Sequence, residues 1–200
     1  MKKFTVLFFP MLLILIFSGL TSAQIKIGLG GGLTSIQSPD AYKNDVASGG
    51  EGFTGNYHLT AMAKLSLPLI PFTPAAFIDY HVLRGSGNRG SYAVETSMNI
   101  LSIGLEGELT LLPIPVLSPY VCADFALNKF GQLEETSQLG SIVQSGVSRY
   151  GVGIGVGAVL TVLPKIDIDG SIKYQLLNLI GKNSGESNIN ALTLNIILLF

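Results

Sequence analysis

The chain has 200 residues, enough for one domain of ordinary size, and 48% of them are apolar. Twelve basic and thirteen acidic residues leave a formal charge of −1, without the basic face that nucleic-acid binding usually requires. The single cysteine, Cys122, excludes an internal disulfide; it lies too far from the N-terminus for a lipoprotein anchor and reads as a small packing residue.

Residues 1–23 have the layout of a secretory signal peptide. Lys2 and Lys3 form a positive start, residues 4–17 are an apolar run, and Ser18, Gly19, Thr21, Ser22 and Ala23 supply small residues for cleavage between Ala23 and Gln24. Read instead as a membrane anchor, the run is short of the ~20 residues a spanning helix needs, and it contains Pro10. Removing it takes away two lysines and leaves ten basic against thirteen acidic residues. The later apolar stretch 111–117 is shorter still and holds Pro113 and Pro115.

The remaining 24–200 form one domain of period-two segments, each near the ~9–11 residues of a tilted transmembrane strand. Eight are read: 25–34, 57–67, 75–84, 98–111, 120–128, 149–162, 166–177 and 189–200. The fourth sets Leu101, Ile103, Leu105, Leu109 and Leu111 on one face, and Ser102, Gly104, Glu106, Glu108 and Thr110 on the other. The sixth sets Val152, Ile154, Val156, Ala158, Leu160 and Val162 against a stripe of Gly151, Gly153, Gly155 and Gly157. In the seventh, Ile166, Ile168, Ile172 and Tyr174 oppose Asp167, Asp169, Ser171 and Lys173.

A soluble sandwich or lipocalin-like barrel would also alternate, with its apolar face inward. The glycine stripe is poor solvent cover, however, and suits a narrow barrel interior. The connections also alternate. Those at 35–56, 85–97, 129–148 and 178–188 are long or polar, whereas 68–74, 112–119 and 163–165 are short and marked by proline. Outer-membrane barrels have this asymmetry, with long loops outside and tight turns in the periplasm. Pro74, Pro119 and Pro164 are each followed five residues later by an aspartate, Asp79, Asp124 and Asp169. The prolines are expected at strand starts, where no ladder hydrogen bond is lost. The fold class is therefore all-β: an eight-stranded antiparallel up-and-down transmembrane β-barrel.

At this point the chain resembles the small outer-membrane β-barrel family, the OmpA-like eight-stranded transmembrane domains and the outer membrane protein β-barrel domain group, over essentially the whole of 24–200. The most specific motif is the last strand, with Leu192, Leu194, Ile196, Leu198 and the C-terminal Phe200 on one face. The resemblance implies a Gram-negative envelope protein delivered to the cell outer membrane. It also implies that this strand is the assembly signal read by the barrel-assembly machinery after periplasmic chaperones have carried the unfolded chain. Two departures stand out: there is no Trp, so aromatic girdles fall to Tyr57, Phe72, Tyr80, Tyr150 and Phe200, and there is no C-terminal peptidoglycan-binding domain.

With lipid outside, the polar faces converge on the lumen. The expected ion-pair network has Lys26, Lys64, Arg149 and Lys173 as cations and Asp79, Glu106, Glu108, Asp124, Asp167 and Asp169 as anions. Eight strands enclose a space that side chains can just fill, so a charge-paired, closed lumen is expected. A narrow porin-like channel for small solutes is the alternative. His58 and His81 are expected at the outer rim of the lumen, facing each other from neighbouring strands, where they could ligate a metal or exchange protons. Some barrels of this kind are lipid-modifying enzymes, but the nearest hydroxyl read on that face is Thr60, with no matched nucleophile beside a histidine. No catalytic residue, metal or cofactor is assigned. The runs 28–32 and 151–157 faintly resemble nucleotide-binding loops, but neither opens a helix, and both read as strand packing. The reading is a structural or surface-interaction protein whose partners are outer-membrane lipid and, through its long extracellular loops at the cell surface, an unidentified extracellular ligand.

Overall fold

The computed structural model describes residues 24–66, 70–112, 114, 116–163 and 166–200. The expected signal peptide and its cleavage site lie outside the described residues, as do residues 67–69, 113, 115, 164 and 165. In chain order the strands are β1 (Gln24–Ser38), β2 (Asn56–Ser66), β3 (Phe72–Arg89), β4 (Tyr92–Thr110), β5 (Leu117–Phe130), β6 (Leu133–Ser137), β7 (Gly140–Gln144), β8 (Ser148–Leu163), β9 (Ile166–Ile180) and β10 (Asn190–Leu199). A single helical turn, α1 (Asp40–Lys43), and a 3-10 turn at Val46–Ser48 follow β1.

All strands except β6 and β7 close an eight-stranded up-and-down barrel, each antiparallel to its neighbours. The seam joins β1 to β10 from Gly28↔Leu199 to Ser38↔Asn190. Ile27 and Phe200 extend it by exchanging both backbone hydrogen bonds, at 3.1 and 2.8 Å. Closure leaves no unpaired wall edge, which a sheet surrounded by hydrocarbon could not tolerate.

Side-chain parity follows the expected faces. Ile103, Leu105, Ile154, Val156, Ile172 and Ile196 are exposed on the outer wall, while Ser102, Glu106, Asp169, Lys173 and Asn195 are buried inside. The continuous outward apolar surface far exceeds the few-hundred-Å² patches of a soluble monomer and suits a lipid surround. Tyr57, Phe72, Tyr80, Tyr150 and Phe200 are all exposed on this wall, and Phe125 stacks on Tyr150 at 5.7 Å. Among the described residues no helix is long and apolar enough to cross a membrane.

Three expectations are corrected. The connection 85–97 is not a long loop: β3 and β4 pair out to Arg89↔Tyr92 and turn through Gly90, whose φ is +68°. Its glycines mark close approach, since a Cβ on Gly85 would strike the Glu51 carbonyl and one on Gly87 would press on Val46. The connection 129–148 contains the β6–β7 hairpin, so the sheet has ten strands although the barrel has eight. Pro74 and Pro119 are not strand-initial, because β3 and β5 begin two residues earlier. Pro74 nevertheless lies beyond the last β2 partner of β3, where no donor is required from it.

Candidate functional site

Inward parity and register place the lumen charges in tiers. Nearest the end with the short turns, Lys26 pairs with Asp167. Above it, Lys64 sits between Glu108 and Asp169, 2.5 Å from the latter, and the Tyr120 hydroxyl donates to Asp169 at 2.7 Å. The Lys64 ammonium also lies 5.0 Å from the Tyr120 ring centroid. In the next tier Lys173 pairs with Glu106 and lies 5.1 Å from the Phe77 ring centroid. Cations with long stems reach across the lumen between strands that are not neighbours, so these pairs brace the barrel through its interior.

The glycine stripe of β8 makes room for these groups. A Cβ on Gly153 would meet the Asp124 carboxylate, one on Gly155 the Lys173 stem, and one on Gly157 the Tyr120 ring. Asp79 and Asp124 are also buried inside, yet no ion pair holds them among the described residues, and Asp79 Oδ1 and Asp124 Oδ2 have no hydrogen-bond partner. Arg149 does not join the lumen network. It stands at the end with the long loops, where Glu186 of the last loop takes its guanidinium through Nε and Nη2, the latter at 2.7 Å.

His58 and His81 are direct cross-strand partners, as expected. They are not at an open rim: each is 1% exposed. The hydroxyl between them is Thr34 of β1, not Thr60; Thr34 Oγ1 lies 2.9 Å from Nδ1 of each ring. His58 Nε2 is 2.6 Å from Asn195 Oδ1, and Asn195 donates to Ser171 Oγ at 3.2 Å. One assignment of protons satisfies the chain: His81 Nδ1–H donates to Thr34, Thr34 to His58 Nδ1, and His58 Nε2–H to Asn195. It leaves His81 Nε2 as a bare acceptor, and among the described residues that atom has no partner. Thr34, His58 and Asn195 have the connectivity of nucleophile, base and orienter. All of them are buried, and the hydrogen bonds link β1, β2, β3 and β10 across the lumen. Among the described residues no group of His, Cys, Asp and Glu has the geometry to hold a metal.

Above the histidines the interior turns apolar. Ile36, Leu83, Met98, Ile100, Phe130, Leu177 and Ile189 pack around Phe53, which the first loop inserts with no exposed surface. Continuing the inward parity of β4 upward through Ile100 and Met98 would have found part of this cap; Phe53, in a loop without periodicity, carries no such signal. The cap floors a recess of about 340 Å³ lined by Tyr42, Leu133, Arg149 and Glu186, among others. A second recess, about 180 Å³, opens at the opposite end beside Lys26, Lys64 and Glu108. No residue lines both. In the loops, hydrogen bonds from Arg149 above all hold the Glu186 carboxyl down at about 2. Burial, reinforced by the charge of Glu135, raises the Glu51 carboxyl above its usual range.

Comparison with solved structures places this architecture. The chain superimposes on the crystal structure of Neisserial surface protein A with a TM-score of 0.59 at 14% identity, covering 89% of this chain and 97% of that one. For the Ail attachment invasion locus protein of Yersinia pestis, solved with the heparin analogue sucrose octasulfate, the TM-score is 0.55 at 13% identity, covering 89% and 99%. The fold is that of the small outer-membrane β-barrels. No protein-family model matches the sequence, and no curated protein matches it either. In outer-membrane barrels the long loops face outward and the short turns face the periplasm; the Arg149–Glu186 end is the end with the long loops.

Proposed function

We propose that the chain is an exported outer-membrane protein, inserted after loss of residues 1–23, that is structurally closed and makes its contacts through its outer loops. The observation that carries this reading is the filled lumen. Lys64 is buried between Glu108 and Asp169, Lys173 is buried against Glu106, and the apolar cap around Phe53 lies between them and the end with the long loops. A barrel braced in this way has no solute path, and its working surface is what it presents outside. Lipid covers its wall. Its last strand, from Leu192 to Phe200, serves as the signal for the barrel-assembly machinery after periplasmic chaperones deliver the chain.

Purified protein in planar bilayers tests the closed lumen: the expected trace is flat, and steady unitary openings would identify a channel instead. The ligand held by the Yersinia barrel does not carry over. The outer segments 35–56, 84–97, 129–149 and 178–189 hold six cations against seven anions. Of those cations, Arg89 and Arg149 are engaged by Glu135 and Glu186. A polysulfated sugar finds no cationic patch there.

A further inference from the structure

Above the lipid-facing wall the sheet does not stop at the rim. β4 pairs with β5 from Ile100 to Thr110 and, along the same edge, with β6 from Val94 to Ser97. β6 therefore continues the row of β5 outward. β7, which pairs with the far side of β6, continues the row of β8. The next row ends lower, because β9 stops at Ile180 opposite Tyr150. The projecting sheet β3–β4–β6–β7 thus ends in a strand with one partner and one open edge.

The two edges of this projection differ in kind. On the β3 side, above its last β2 partner at Val82, the Arg84 amide donates to Asn56 Oδ1, and the first loop packs on the inner face of the sheet, where Arg89 of β3 donates to the Gly50 carbonyl and Thr96 of β4 to that of Glu51. Arg84, exposed on this stretch of β3, adds charge beside that edge. Charge and loop cover are the usual guards against strand pairing. β7 has neither. Its sequence Gly140-Ser141-Ile142-Val143-Gln144 holds no charge and no proline, and all five residues are exposed, Ile142 at 64% and Val143 at 54%, beside Leu139 at 76%. Among the described residues nothing pairs with its outer edge.

We propose that β7 is a strand-addition site whose occupant is β7 of a second copy of this chain, displayed on an apposed membrane. A copy is favoured because the strand is self-complementary. In antiparallel pairing about Ile142 no like charges meet, Ile142 faces its own copy with Val143 opposite Ser141, and each backbone edge supplies what the other lacks. The apposed arrangement follows from symmetry. The two-fold axis relating antiparallel strands is perpendicular to their sheet. This sheet continues the barrel wall, so the axis lies across the barrel and turns the second barrel upside down. Two copies in one membrane share an orientation and cannot meet this way, whereas copies on facing cells can.

The inference rests on the reading of the loop end as the cell surface, and the experiment separates the two. Two differently labelled populations of non-adherent Gram-negative cells are made to express the full chain, and protease cleavage of the β6–β7 hairpin on intact cells reports display. Mixed clusters are expected when both populations carry the protein. Ile142→Lys on both should abolish them, as should Ile142→Glu on both, while mixing Lys cells with Glu cells should restore them. Heat-modifiable migration confirms that each variant barrel is folded. The proposal is overturned if displayed wild-type protein forms no clusters, if protein-bearing cells stick equally to bare ones, or if the Lys–Glu mixture stays dispersed. A hairpin inaccessible on intact cells sinks the surface reading itself.

Discussion

Lys173 is tied to Glu106 in an interior that also holds the unpaired Asp79 and Asp124. Losing the cation leaves a buried carboxylate uncompensated, a change that typically costs about 3–5 kcal/mol, more than the pair itself contributes. Lys173→Met is therefore expected to lower the urea midpoint of the refolded barrel sharply, with the double variant Lys173→Met/Glu106→Gln recovering most of the loss. Equal midpoints for the two variants would contradict the pairing. The participants in these contacts were legible in the sequence because strand parity alone puts Glu106, Glu108, Asp169 and Lys173 on inward faces. Their pairing was not. Which cation meets which anion depends on register across the lumen, and the same dependence concealed Thr34 between the two histidines and moved Arg149 to Glu186.

At the scale of elements, the last loop is held to the mouth by one clasp. Glu186 accepts from Arg149, from Asn178 Nδ2 at 3.0 Å and from the Asn183 amide at 3.0 Å. A carboxyl whose folded pKa is depressed contributes stability above its unfolded value, and that contribution is lost as pH falls through the folded one. With the folded value at about 2, protection of the loop 181–189 from acid-active protease should persist through mildly acidic pH and fail only near pH 2. Glu186→Gln should remove the charge-assisted part of this protection at neutral pH, and a loop equally protected in that variant would refute the clasp. Glu51 behaves in the opposite sense. Its raised pKa means that the folded loop favours the neutral acid, so Glu51→Gln should slow proteolysis of the first loop at neutral pH. The eight wall strands were readable from alternation, but the hairpin β6–β7 was not. Glu134, Glu135 and the exposed β7 residues show no buried face, so period two carries no signal there. The β3–β4 extension was hidden for a related reason: its glycines, read as turn residues, admit the first loop against the sheet.

For the whole molecule, the arrangement is inside-out relative to a soluble barrel: apolar residues cover the wall, and the described interior is polar, ion-paired and capped by the cluster around Phe53. The chain closes on itself through its last residue, since Phe200 completes the backbone pairing with Ile27 while its ring stays outside with Leu198 and Ile196. That architecture requires a bilayer, and the required location can be read directly. Outer-membrane fractions from cells expressing the full chain, run on a denaturing gel with and without boiling, test it most simply. The expected result is recovery in that fraction with anomalous migration that reverts to the full-length position only after boiling. Recovery in the soluble periplasmic fraction, with migration indifferent to heat, would contradict the closed transmembrane barrel.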